Sequence, residues 1–412
     1  MKRSAPASTS HAASGSLRTR ALRRRTRGSR RRDERRDDLR RAAPMTERIR
    51  LVDVAKGISI VLVAFGHSHL VAMSPVARDL NRSLGLIRMP FFFLMSGLFF
   101  RAAKPLATVV HEKSASLLKP YFVTLGCVVL ARVLVTGASL PAEVARVLYG
   151  VGSTLDIPWA PLWYLANLWL VFLYAHVLVR IATLARLPTW SRALLLTAQT
   201  ALGLFSLHLF RDLPFRFEGM SVPLDGLPFS VDLVGISSTY FLLGYAVRER
   251  VIRFRPNVVL GAALLVVFLA LDVVFLPRLD LNLRIVVSPF AVAACSLSGI
   301  YLALTVAHVL STSERLAKMI AFFGFNSLFV LVFHEVFDEG WRRLLSFLLS
   351  TQPGLGIAGT SWLMAVLCAA AMGVVIRRLP LLAALYLPRK ALFPSTPGSR
   401  PFRVSLPTAD PL

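Results

Sequence analysis

The sequence predicts an all-α fold: a polytopic membrane helix bundle of about ten transmembrane helices with both termini cytoplasmic. Three observations predict it. Apolar residues make up 55% of the 412-residue chain and the mean hydropathy is +0.61, against about 45–50% apolar in soluble domains. Apolar runs recur at close to the roughly 20 residues that a helix needs to cross a bilayer core. Lysine and arginine collect between those runs, where cationic loops set topology.

The elements follow in chain order. Residues 1–45 form a basic, Arg/Ser/Ala-rich tail without apolar periodicity, expected to be disordered. The first fifty residues hold seventeen Lys and Arg against five Asp and Glu. This tail has no apolar core of a secretory signal, and its DERRDD stretch argues against a transit peptide. Met45, opening MTERIRLVDVAKG, offers an alternative start, with the tail then an untranslated extension. Spans are expected at about 54–73, 84–100, 120–137, 163–182, 193–210, 231–247, 258–276, 286–309, 319–336 and 360–377. The fifth ends in the polar SLHLF and the sixth holds Gly235 and Gly244. The domain bounds are therefore 46–387 for the membrane domain and 388–412 for a short, proline-punctuated C-terminal tail.

With the tail inside, the loops predicted as cytoplasmic carry twelve Lys and Arg, among them Arg101, Lys104, Lys113, Lys119 and Arg248. The opposite loops carry nine, including Arg78, Arg82, Arg216, Arg342 and Arg343. Both termini inside requires an even number of spans. The net charge of +26 follows from this distribution, and no folded nucleic-acid reader is visible. The tail is suited to anionic lipid. Cys127, Cys295 and Cys368 all fall in apolar runs without metal-ligand spacing, so they read as small packing residues.

The first span, LVDVAKGISIVLVAFGHSHL, keeps Asp53, Lys56 and His67. Lys56 is three helical steps beyond Asp53, which makes them neighbours on one helix face. His67 is eleven steps beyond Lys56, which returns the face within roughly 20° and rises roughly 16 Å. His69 points elsewhere. Ionisable groups inside a membrane are costly and normally face a bundle interior or a wet cavity. The second span adds Arg88 and the ninth adds His334, both near the outer side. Three ionisable residues at one level on three helices form the candidate centre.

These stretches carry a resemblance. DVAKGISIVLVAFGH, MPFFFLMSGLFF, LLKPY, PLWYL and FGFNSLFVLVFH occur in that order from Ile49 to about Leu385. Together they resemble the acyltransferase-3 family of integral membrane O-acyltransferases, most closely its fucose 4-O-acetylase-like branch. Where many members have histidine before the MPxFFxxSG run, this chain has Arg88. No soluble hydrolase-like domain is appended.

The resemblance implies transfer of an acyl group, acetyl for preference, from a thioester donor such as acetyl-CoA to a hydroxyl of a carbohydrate or other exported acceptor. An attacking hydroxyl needs a base, and histidine suits neutral pH. His67 leads, with His334 as a second base or acceptor-binding group. Arg88 and Asn326 are candidate donors to the oxyanion. Asp53 lies roughly 21 Å along the helix from His67, too far to orient it. Lys56, Lys113 and Lys119, with Asp53 beside Lys56, form the candidate donor-binding set for the anionic coenzyme. Trp163 and Tyr164 could stack on a sugar ring or simply belong to an interfacial aromatic belt. No nucleotide-hydrolysing loop or GxSxG elbow is present. No cofactor or metal is expected to be permanently bound, and the cell membrane is the expected location. The competing reading is a transporter or flippase for an anionic glycolipid or polysaccharide precursor, although no matched pair of broken spans marks one.

Overall fold

The computed structural model describes residues 50–155, 157–213 and 224–388. The expected tails, Met45 and Arg216 lie outside the described residues. Those from Leu51 onward form one unit, and nearly all of it is helix.

Apolar runs give the long helices, and Ser, Pro, Gly and Asn mark their ends. Helix α1 covers 50–66, and its register stops one residue before His67. The short α2 (His69–Met73) follows, and then α3 (Pro75–Gly97), whose first turn has Pro75 and a Ser74 cap. α4 (Leu106–Lys113) runs through a π-helical turn, Ser114–Leu118, into α5 (Lys119–Thr136). α6 (Leu140–Tyr149) folds back on α5 and ends on Gly150 in the left-handed region. α7 (Trp163–Leu184), α8 (Thr189–Leu209) and α9 (Val234–Ala246) pack together, and α10 (Arg248–Ile252) follows. α11 (Val258–Phe275) leads through an antiparallel hairpin, β1 (Arg278–Asp280) and β2 (Ile285–Val287), to α12 (Pro289–Thr312). Last come α13 (Glu314–Phe325), α14 (Ser327–Leu348), α15 (Leu355–Arg378) and α16 (Pro380–Tyr386).

Six helical stretches among the described residues are long and apolar enough to cross a membrane: Leu106–Thr136, Ala160–Thr183, Pro228–Ala246, Val258–Phe275, Pro289–Thr312 and Leu355–Arg378. They coincide with the third, fourth, sixth, seventh, eighth and tenth expected spans. The ninth is a pair of helices bent by 80°, where one straight span at 319–336 was expected. The break falls at Asn326, with α13 and α14 on either side. The remaining three expected spans are helical but more polar or shorter. α3 carries Arg78, Asp79, Arg82 and Arg88, and α8 carries Gln199 among several hydroxyls. The first is split at His67–Ser68, so residues 54–73 are two helices. The protein is a multi-pass, all-α membrane bundle.

α3 is the hub, in contact with α2, α9 and α12. Glycine permits the close approaches. A Cβ on Gly97 would collide with the Phe241 carbonyl, and one on Gly244 with the Leu94 carbonyl. At the other side of the hub the Ser296 hydroxyl donates to Leu86 O at 2.7 Å. α1 meets α13 in the same way: Gly57 faces the Ile320 carbonyl and Gly324 faces the Asp53 carbonyl. Small residues let helix backbones approach where lipid gives no hydrophobic drive to associate. Two ion pairs pin the connections. Asp232 and Arg284, both with side chains at 0% exposure, bond at 3.0 Å. Arg82 Nη1 meets Asp272 Oδ1 at 2.7 Å.

Candidate active site

α1 ends at Gly66 because the next two residues turn. His67 N–H reaches back to Ala64 O at 3.3 Å, and Ser68 binds Phe65 O through both its N–H, at 3.1 Å, and its hydroxyl, at 2.8 Å. The imidazole of His67 is thus carried on a turn and is half-buried. Its ring meets that of His334 on α14, with centroids 5.5 Å apart and planes at 69°. The guanidinium of Arg88, on α3, lies over Gly66, where any Cβ would collide with it. Arg88 Nη1 donates to Asn81 Oδ1 at 2.7 Å, one helical face along α3. The turn after α1, α3 and α14 therefore bring His67, Arg88 and His334 to one place.

The tautomer of His334 follows from its contacts. Nδ1 lies 2.8 Å from Val330 O and 3.1 Å from Leu331 O. Carbonyl oxygens only accept, so Nδ1 carries a proton and donates it. In the neutral ring Nε2 is then a lone pair. That atom is buried and has no hydrogen-bond partner among the described residues. Glu335 Oε2 and Trp362 Nε1 are likewise buried and unpartnered. Trp362, on α15, packs edge-on against Phe65 of α1 at 5.8 Å. Buried polar atoms are normally paired, so the free lone pair of His334 Nε2 is suited to a hydroxyl of a ligand.

A second basic site lies towards the other end of α1. Lys56 Nζ sits 3.9 Å above the Phe99 ring and Lys113 Nζ 3.6 Å above Phe172. Phe99, Phe172 and Lys113 line a cavity of about 310 Å³ together with Arg101, Lys104, Glu112 and Arg248. Lys104 is paired with Glu112. The cavity joins positive charge to aromatic faces, a combination that takes an anionic ligand with an aromatic group. From Lys56 to Gly66 is ten residues of helix, so the two sites are roughly 15 Å apart along α1.

Four expected site residues are placed elsewhere. Lys119 does not reach the cavity: its ammonium holds Ala384 O and, at 2.9 Å, Leu387 O. Carbonyls at a helix end lack internal donors and attract a cation. Asn326 does not reach the histidines either. It sits at the α13–α14 break, where its amide donates to Phe322 O at 2.9 Å and its Oδ1 accepts from Arg377. Trp163 and Tyr164 offer no open stacking face. Both are buried, and Tyr164 packs on Phe92 and Phe93 at 4.8 and 5.0 Å. Asp53 remains on α1 one turn before Lys56, against α13.

The structure also adds residues. His69, Asp338 and Ser361 form a hydrogen-bonded group beside the histidine pair. Asn81 holds Arg88, and Arg101 and Arg248 join the cavity. Asn81 could have been found from its spacing, seven residues before Arg88 and so on the same face. The others carry no such signal, because polar residues in loops and at helix ends are ordinary.

The geometry is that of a membrane helix bundle with a polar centre inside it. A family model described as an acyltransferase domain, Acyl_transf_3, matches residues 49–376, and the chain belongs to that acyltransferase-3 family. No curated protein matches the chain. Members of this family are O-acyltransferases, so the protein is a multi-pass membrane enzyme that transfers acyl groups other than aminoacyl groups.

Proposed function

We propose that the enzyme transfers an acyl group, acetyl for preference, from acyl-CoA to a hydroxyl of a carbohydrate or other exported acceptor in the cell membrane. The observation that carries this reading is the convergence of His67, His334 and Arg88, with the lone pair of His334 Nε2 unpartnered. Both chain termini are cytoplasmic in this reading. The cavity of Lys113 and Arg248 then opens towards the donor, and the histidines lie in the outer half.

His67, the more exposed imidazole, takes the proton as the acceptor oxygen attacks the thioester carbonyl. His334, whose Nε2 can only accept while neutral, holds the hydroxylated acceptor. The carbonyl oxygen gains charge as the C–O bond forms, and the Arg88 guanidinium stabilises it. Collapse of the tetrahedral adduct breaks the C–S bond. The departing thiolate takes the proton from His67, leaving ester and free thiol. Lys56, Lys113, Arg101 and Arg248 anchor the phosphates, and the acyl-bearing arm spans the length of α1 to the histidines.

The test is His67→Ala in a cell lacking the native gene, with the acetyl content of the surface glycan as the readout. Near-complete loss is expected, with unchanged membrane insertion. Full activity would remove His67 as base. Release of CoA thiol from acetyl-CoA by the purified protein separates this reading from a transporter, which turns over no thioester.

A further inference from the structure

Two residues beyond His67, the chain is fastened to α14 a second time. His69 donates its backbone N–H to Asp338 Oδ2 at 3.1 Å, and its Nδ1 lies 2.9 Å from the same oxygen. The other carboxylate oxygen accepts from the Ser361 hydroxyl of α15 at 2.7 Å. Asp338 is buried, with its side chain 4% exposed. His69 Nε2 lies 3.3 Å from Glu339 Oε2. Glu339 is itself bonded to Arg342 at 2.7 Å and Arg343 at 2.5 Å. Both ring nitrogens of His69 therefore face a carboxylate of α14.

Asp338 is four residues beyond His334, so both lie on one face of α14. The His67–His334 contact and the His69–Asp338 bond therefore form two adjacent rungs between the same two segments. The first rung is a ring contact without a hydrogen bond between its rings. The second supplies two hydrogen bonds from His69 to a buried carboxylate, whose other oxygen Ser361 of α15 holds. The turn at His67–Ser68 is not helical, so α1 alone does not fix the imidazole.

From this we propose that Asp338 is a positioning residue for the histidine pair, acting through His69. It clamps the turn after α1 onto α14 and α15, and so sets where His67 stands relative to His334. The catalytic consequence rests on the acyl-transfer reading above; the positional consequence does not.

The experiment uses the full-length protein in detergent micelles and follows modification of single histidines by diethyl pyrocarbonate, located by mass spectrometry. Asp338→Asn and His69→Ala are each expected to speed modification of His67 several-fold, and the double variant no further than either alone. Ser361→Ala, which leaves the His69 bonds in place, changes the rate less. In membranes of the complemented host, incorporation of label from acetyl-CoA into envelope material falls by about 10- to 100-fold in Asp338→Asn, as misplaced catalytic groups imply. The loss lies in maximal rate, with half-saturating acetyl-CoA unchanged. The proposal is overturned if Asp338→Asn leaves the His67 rate at the wild-type value, or if the two substitutions multiply. Faster His67 modification in a protein that never incorporates acetyl label would sink the acyl-transfer reading and leave the clamp standing.

Discussion

Arg88 holds its position through Asn81 and through the absence of a side chain at Gly66. A guanidinium kept this way presents its remaining N–H groups in a fixed plane. Arg88→Ala is expected to lower acyl transfer by about 10²–10³-fold, the usual loss on removing an oxyanion donor. Arg88→Lys restores only part of it, because one ammonium cannot bond Asn81 and also face the reacting carbonyl. Acetyl content of complemented cells is the measurement, and wild-type levels in Arg88→Ala would exclude the role. At this scale the sequence is most legible where a residue is out of place. His67, Arg88 and His334 stand out because ionisable groups in apolar runs need a reason. Asp338 and His69 do not stand out: HEVFDEGWRR reads as an ordinary polar helix end, and nothing local shows that Asp338 faces a turn 269 residues away. Asn326 stands out misleadingly. It is a buried amide in an apolar run, but its job is to satisfy a broken helix.

Helices were legible from apolar periodicity, while their breaks were not. The run FFGFNSLFVLVFH contains no proline and keeps its apolar character through Asn326, yet the axis turns by 80° there. The cause is tertiary: Gly324 lies against the Asp53 carbonyl, which brings α13 onto α1, whereas α14 pairs with α15. The same holds at Gly66–Ser68. Close backbone approach at glycine also sets the stability of the hub. Gly97→Ala and Gly244→Ala each force a methyl into a carbonyl of the facing helix, Phe241 and Leu94 respectively. Overpacking of this kind costs about 1–3 kcal/mol. Each variant should therefore melt lower than wild type in detergent. Gly126→Ala is the control, since a Cβ there meets nothing within 4 Å. Equal melting of all three variants would mean that α3 and α9 are not in backbone contact.

Across the whole molecule, charge is distributed unevenly, and part of it gathers around one cavity. Arg101, Lys104, Lys113 and Arg248 share one cavity with the single carboxylate of Glu112, which Lys104 already holds. Lys113 and Arg248 come from distant parts of the chain, so the loop basicity that signals topology is also folded into one site. The sequence shows the basic loops and conceals their convergence, because a loop lysine and a cavity lysine look alike until the loops are placed. Topology and donor binding separate experimentally. Lys113→Ala and Arg248→Ala leave enough basic residues in the loops to keep the orientation, so membrane insertion is unchanged. A hydrogen bond to a charged group contributes about 1.5–3 kcal/mol, so each substitution should raise half-saturating acetyl-CoA by about tenfold or more. Salt screens exposed charges over about 10 Å at 0.1 M, so the wild-type value rises with ionic strength, and the double variant loses most of that dependence. The measurement is CoA-thiol release against acetyl-CoA concentration at low and raised salt. If neither substitution moves the half-saturation point at low salt, the phosphates are held elsewhere and the donor does not enter through this cavity.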